Sequence, residues 1–136
     1  MELNLQKGGY LRDFQKAFNE VYPYLKIEFY KPSQELQESN LQKHIKHNSL
    51  ILVNGTEKFK ESGQINIDNF RTSAQLEKDF LDNFGLAIKL FRKSGSLWIE
   101  ITLTDNWTLE KQNEEGEFMS LPDIRRKALN NDTEIN

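Results

Sequence analysis

The chain has 136 residues, no cysteine, a net charge of −3 and 37% hydrophobic residues, which suits one domain able to bury a core without metal or disulfide staples. The missing cysteine excludes disulfides, thiolate nucleophiles and zinc held on sulfur, and the longest apolar run, Leu50-Ile51-Leu52-Val53, is far too short to cross a bilayer. Acidic residues are in excess from Asp105 onward, which argues against a dedicated nucleic-acid binder.

In chain order, Leu3 and Leu5 alternate as a short strand. Phe14, Ala17, Phe18 and Val21 recur at helical spacing, and Pro23 stops that helix. Leu25, Ile27 and Phe29 then alternate at period two, as a half-buried strand does. Residues 32–62 read as an irregular insertion, with a helix candidate over Ser33–His47, a short strand at Leu50–Val53 and a turn at Asn54-Gly55.

The opening series then returns. Ile65 and Ile67 match Leu3 and Leu5; Leu76, Phe80 and Phe84 match Phe14, Phe18 and Tyr22; Leu86, Ile88 and Leu90 match Leu25, Ile27 and Phe29. Thr72 and Gln75 form a capping box for the second helix, and Gly85 stands at its C-cap. A hairpin follows. With Ser94-Gly95 as its turn, Leu90 opposes Ile99, Ile88 opposes Ile101, Phe91 opposes Trp98 and Lys89 opposes Glu100. Leu97, Ile99 and Ile101 then join the core.

Asp105-Asn106 offers an N-cap for a helix that starts near Trp107 and fades around Gly116, and Ser120 and Pro122 introduce a last helix, Leu121 to Leu129. These elements predict an α+β fold: a ferredoxin-like split βαβ two-layer sandwich with an added C-terminal β-hairpin strand and a C-terminal helix. Residues 1–129 form the single domain and 130–136 a flexible tail. The first twenty residues hold no continuous apolar run, so the expected location is cytoplasmic, without a signal peptide.

Leu76-Glu77, Phe84-Gly85-Leu86, Phe91-Arg92-Lys93-Ser94-Gly95, Trp98, Thr104-Asp105-Asn106-Trp107-Thr108-Leu109-Glu110 and Gln112-Asn113 together resemble a family of small bacterial proteins with no assigned activity. The similarity covers residues 64–116. It implies a bacterial cytosolic origin, no chemistry and no site residue.

The residues themselves offer few catalytic arrangements. His44 and His47 share one helix face if Ser33–His47 is helical, but Lys43 and Lys46 flank them and a third ligand is missing, so a solvated basic helix is the better reading and no metal is expected. Glu114, Glu115 and Glu117 form a charge run of the kind that faces solvent. Glu100 and Asp105 are the acid–base candidates, with Glu100 already expected to face Lys89. Gly8-Gly9 ahead of the first helix reads as a turn before it reads as an anion site. No nucleotide or phosphate motif occurs, and no cofactor is expected.

The sheet face opposite the core is more informative. It gathers Lys26, Glu28, Tyr30, Lys89, Phe91, Trp98 and Glu100, with Arg92 and Lys93 at the hairpin tip. If a C-terminal helix bearing Trp107, Leu109, Phe118, Met119 and Leu121 covers Phe91 and Trp98, the face is core. If the face is open, its aromatics and cations suit a binding surface. The expected function is a non-catalytic interaction module using Tyr30, Lys89, Phe91, Arg92, Lys93 and Trp98, with a protein partner or a homodimer favoured and no membrane. One alternative is a single-stranded RNA binder that stacks bases on the same rings; the other is an enzyme with an acid–base site near Glu100 and Asp105.

Overall fold

The sequence repeat folds as two strand–helix–strand units that pair like with like. In the computed structural model, which describes residues 1–6, 8–31, 43–44 and 62–134, the first unit is β1 (Glu2–Gln6), α1 (Leu11–Val21) and β2 (Leu25–Lys31). A two-residue strand, β3 (Lys43–His44), follows. The second unit is β4 (Ser62–Asn66), α2 (Ser73–Phe84) and β5 (Ala87–Ser94), continued by β6 (Leu97–Glu100), a 3₁₀ turn at Thr102–Thr104, α3 (Leu109–Met119) and α4 (Asp123–Glu134). The strand expected at Leu50–Val53, the turn at Asn54-Gly55 and His47 lie outside the described residues. Lys43 and His44 pair as a strand with Lys31 and Tyr30, which removes the helical face proposed for the two histidines.

The α+β class is correct. A ferredoxin-like split βαβ fold, however, would set all four repeat strands in one sheet, and the described strands form two. β1 pairs antiparallel with β4, placing Leu3 opposite its repeat partner Ile65. β2 pairs antiparallel with β5, placing Ile27 opposite Leu90. The sheets are thus β1–β4 and β3–β2–β5–β6. Like-with-like pairing satisfies each ladder separately and leaves every sheet one apolar face. α1 and α2, which each pack on a strand of both sheets, cover those faces.

Their rings meet at the centre. Phe14 of α1 lies edge-on to Phe80 of α2 at 5.1 Å and to Phe29 of β2 at 6.3 Å, and Phe80 reaches Phe29 at 5.5 Å and Phe84 at 5.7 Å. Edge-to-face geometry at these distances adds to the large apolar area each ring removes from water. Local signals hold the ends. Thr72 and Gln75 complete the capping box with bonds of 3.1 and 3.0 Å, and Gly85 takes the left-handed C-cap conformation at φ 67°. Tyr22, the residue just past α1, is buried, and its hydroxyl donates to the Ile67 carbonyl at 2.5 Å, tying the first unit to the end of β4. Burial, with Asp68 and Glu110 adding repulsion, pushes this phenol up to about 12.

Three sequence expectations shift at the C-terminal side. The β5–β6 turn is Gly95-Ser96 rather than Ser94-Gly95, with Gly95 at φ 65° as a II′ turn requires at its first central position. Ser94 then opposes Leu97, Lys93 opposes Trp98, Arg92 opposes Ile99 and Phe91 opposes Glu100. The register is displaced by two residues from the expected one, so each side chain keeps its face while the directly opposed pairs change; Lys89 and Glu100, now diagonal, still meet as an ion pair. The N-cap of α3 is Thr108, which accepts from the Lys111 amide at 3.1 Å, while Asp105-Asn106-Trp107 form the preceding turn. α3 continues through Gly116, because the glycine serves close approach rather than termination. A Cβ there would lie 2.7 Å from Tyr24 Cβ and 3.1 Å from Arg92 Cγ. The last helix runs on to Glu134, past the predicted end at Leu129.

Candidate functional site

The outer face of the four-stranded sheet is built by period-two alternation. Leu25, Ile27, Phe29, Ile88 and Leu90 point to the helices, so Lys26, Glu28, Tyr30, Lys89, Phe91, Lys93, Trp98 and Glu100 share the opposite side. Arg92 belongs to the helix side instead. Its guanidinium donates to Gln112 Oε1 at 2.8 Å and stacks 5.5 Å from the centre of the Trp107 ring. The side-chain amide of Gln112 donates in turn to the Thr104 carbonyl at 2.6 Å, and Asn113 Oδ1 accepts from the Tyr24 amide at 2.9 Å. α3 and Trp107 therefore pack on the side away from Phe91 and Trp98. Across the sheet Phe91 stands between Lys26 and Glu100, and Trp98 stands opposite Lys93.

Lys26 carries this face. Its ammonium lies 5.3 Å from the Phe91 ring centre and 5.1 Å from that of Trp98, and Lys93 approaches Trp98 from 5.9 Å. Lys89 lies 5.3 Å from the Tyr30 ring. Two carboxylates balance the cations: Glu28 is 3.3 Å from Lys26 and Glu100 is 3.4 Å from Lys89. Burial, then repulsion from Glu28 and Glu100, raises the Tyr30 phenol above its ordinary value. Beside Lys26, a depression of about 350 Å³ opens between this face and α1, lined by Gln15, Asn19, Glu28 and Trp98 among others. Cation–π contacts of this kind at partly exposed sites contribute about 0.5–1 kcal/mol each and fix both partners in place. The result is a preorganised aromatic surface of mixed charge.

The two edges of the sheet are treated differently. Along β2, the backbone groups of Leu25 and Ile27 turn away from β5; Asn19 Nδ2 donates to the Leu25 carbonyl and Gln15 Nε2 to the Ile27 carbonyl, each at 2.8 Å. Along β6, the Ile101 amide bonds back to Leu90, so by ladder alternation the backbone groups of Trp98 and Glu100 point outward. Nothing among the described residues pairs with them. Leu97 and Ile99, expected in the core, are 67% and 45% exposed. β6 is the edge strand; α3 packs against β5, and its C-cap residue Ser120 accepts from the Gly95 amide in the hairpin turn at 3.1 Å.

A second concave site lies where β6 leaves the sheet. After Ile101 the chain turns into the 3₁₀ segment, so on this side β5 has no strand partner among the described residues before Leu90. The cleft between this edge and α2 has a volume of about 520 Å³ and is lined by Ala74, Glu77, Lys78, Leu81, Lys89, Glu100 and Thr102 among others. Glu77, half-buried here, is pushed up to about 7 by burial first, then by repulsion from Asp105 and Glu100, against the pull of Lys89. Thr102 Oγ1 donates to Glu100 at 2.6 Å.

Of the six predicted binding residues, the structure gathers Tyr30, Lys89, Phe91, Lys93 and Trp98 on one face and sends Arg92 to the other. Of the two predicted acid–base residues, Glu100 lines the cleft and Asp105 acts on it from the adjoining turn. Lys26 and Glu77 were missing from the sequence-derived sites. Alternation places Lys26 on the outer face, and a weighting toward cations among aromatics would have found it. No local pattern marks Glu77. Among the described residues no group of three or more acidic or imidazole side chains is arranged to hold a metal ion, and no helix is long and apolar enough to cross a membrane. No family model, curated protein or solved structure matches this chain.

Proposed function

We propose that the chain is a non-catalytic protein-interaction module that docks its partner, or a second copy of itself, on the outer sheet face and the β6 edge. The observation that carries this reading is the β6 edge: outward-facing backbone groups at Trp98 and Glu100 without a partner among the described residues, flanked by exposed Leu97 and Ile99. An open edge of this composition favours strand addition, and cytosolic proteins ordinarily blunt such edges. Phe91 and Trp98, held by Lys26, supply adjoining aromatic anchors. A cytoplasmic bacterial protein, as the resemblance over residues 64–116 implies, is the setting of this reading. The test is capture from host lysate by the immobilised chain, with sedimentation for self-association, comparing wild type with Trp98→Ala and Ile99→Lys after folding is checked by circular dichroism. Loss of captured protein or of dimer in both variants supports the module; unchanged retention in both rejects it.

The single-stranded RNA reading is weaker because Arg92 faces α3 and the ring faces of Phe91 and Trp98 already carry lysine ammonium groups. A catalytic reading has one observation in its favour, a carboxyl raised to about 7 in a cleft, the state a general acid uses. Its candidate partner Glu100 is already engaged by Lys89 and Thr102, which places this reading below docking.

A further inference from the structure

The cleft between α2 and β5 has the shape of a missing strand. In the β5–β6 register the residue opposite Ile88 would be Leu103, but the chain has left the sheet by then, and Leu103 is 99% exposed in the 3₁₀ segment. Within β5, Lys89 and Phe91 turn their backbone groups toward β2, since the Lys93 amide bonds to Tyr24 and the ladder alternates from there. The N–H and C=O of Ile88 therefore point into the cleft, and neither has a backbone partner among the described residues. Each unpaired group of this kind is a site for an added strand.

The side chains around this edge specify charge. On α2, Lys78 is held by Asp82 at 2.5 Å. On β5, Lys89 is held by Glu100 of β6 at 3.4 Å. Glu77 on α2 has no ion-pair partner among the described residues, and Asp105, from the turn after the 3₁₀ segment, faces it with the same sign. The local balance is an excess of negative charge around a half-buried carboxylate, beside the apolar Ala74 and Leu81. A cleft of about 520 Å³ falls within the range of ordinary ligand sites.

We propose that this cleft binds an extended peptide segment of a partner protein, pairing its backbone with Ile88 and setting a lysine or arginine side chain against Glu77. The inference rests on the reading of the chain as a docking module and names the chemistry of its partner. Charge complementarity selects the occupant: a basic residue on the α2 side of the added strand supplies the cation that Glu77 lacks. Because Glu77 must be ionised to pair, binding strengthens as pH rises through about 7.

The test uses the full chain and two labelled pentapeptides, VKVKV and VEVEV, followed by fluorescence anisotropy and by the NMR shift of the Ile88 amide. VKVKV is expected to bind saturably and move the Ile88 amide, with affinity about tenfold higher at pH 8 than at pH 6; VEVEV is expected not to bind. Glu77→Gln keeps the side-chain shape, and is expected to lower VKVKV affinity at pH 8 about tenfold and remove its pH dependence. An unmoved Ile88 amide, equal binding of the two peptides, or affinity unchanged in Glu77→Gln overturns the proposal. Trp98→Ala separates this inference from the reading beneath it. If VKVKV fails to bind while Trp98→Ala still abolishes partner capture, the cleft proposal falls and the module stands. If VKVKV binds while Trp98→Ala and Ile99→Lys leave capture unchanged, the β6 edge falls and the cleft stands.

Discussion

The two edges of the four-stranded sheet face the same problem and meet it differently. At β2, Gln15 and Asn19 reach from α1 to the carbonyls of Ile27 and Leu25, and β3 pairs with Tyr30 and Lys31 beyond them. At β6, no helix among the described residues lies alongside, and the sheet ends with the outward backbone groups of Trp98 and Glu100 and the exposed side chains of Leu97 and Ile99. Side chains from a helix can blunt an edge as well as another strand can, provided they are long amides with the right reach. On the docking reading proposed above, the guarded edge belongs to the fold, while the unguarded edge and the neighbouring gap beside Ile88 carry the binding.

The comparison is broken most severely by detaching α3, which packs on β5 and β2 from the helix side. Gln112 is fully buried and bridges Arg92 to Thr104. Gln112→Ala removes the acceptor of the half-buried Arg92 guanidinium and leaves the Thr104 carbonyl with the Trp107 amide alone, and is expected to cost about 1–2 kcal/mol, read as a lower urea midpoint with unchanged slope. Gly116→Ala, which forces a Cβ against Tyr24, should cost about 1–3 kcal/mol by overpacking. Next, the guard can be removed from β2. Gln15→Ala with Asn19→Ala strips both carbonyls of their donors, and a loss of about 1–2 kcal/mol is expected in thermal unfolding. Concentration-dependent association should also appear, since β2 would now resemble β6.

Glu77 gives a smaller effect of the opposite sign. Its folded pKa, about 7, lies above the ordinary 4.5, so the folded chain holds this proton more tightly than the unfolded one. Between those values the unfolded state binds fewer protons, and the stability this group contributes declines as pH rises. Glu77→Gln should therefore stabilise the protein above pH 7, by roughly 1 kcal/mol after discounting for solvent screening, and should leave it unchanged near pH 4. Equal melting temperatures at pH 8 would refute the raised pKa. The smallest effect sharpens the contrast directly: Leu97→Lys on the open edge should change stability by no more than about 0.5 kcal/mol, yet weaken any association that uses β6.

Several residues between 64 and 116 have structural work in this chain. Gly85 caps α2, Arg92 and Gln112 form the buried bridge, Asn113 receives the Tyr24 amide, Thr108 caps α3, and Trp107 is packed between Arg92 and Lys111. All but the Gly85 cap secure the junction of α3 with the sheet. The bonds of Gln112 to Arg92 and of Asn113 to Tyr24, and the stacking of Arg92 on Trp107, do not follow from spacing along the chain, because their partners come from different elements. The misplaced turn has a different cause. Both Ser94-Gly95 and Gly95-Ser96 preserve the apolar alternation, so the pattern could not choose between them; the positive φ at Gly95 places glycine first in the turn.

What the sequence determined by itself was everything set by neighbours within a few residues: the period of each helix and strand, the Thr72–Gln75 box, the Gly85 cap, the repeat, and which side chains of β2 and β5 share a face. Those features depend on backbone geometry and local hydrogen bonds. The tertiary structure decided the pairing of β1 with β4 and of β2 with β5 in separate sheets, the side of the sheet that α3 covers, and the exit of the chain from the sheet after Ile101. From these follow the exposure of Leu97 and Ile99, the gap beside Ile88 and the environment of Glu77. Each is a balance between surfaces distant in sequence, and only packing chooses which apolar faces meet and which remain open.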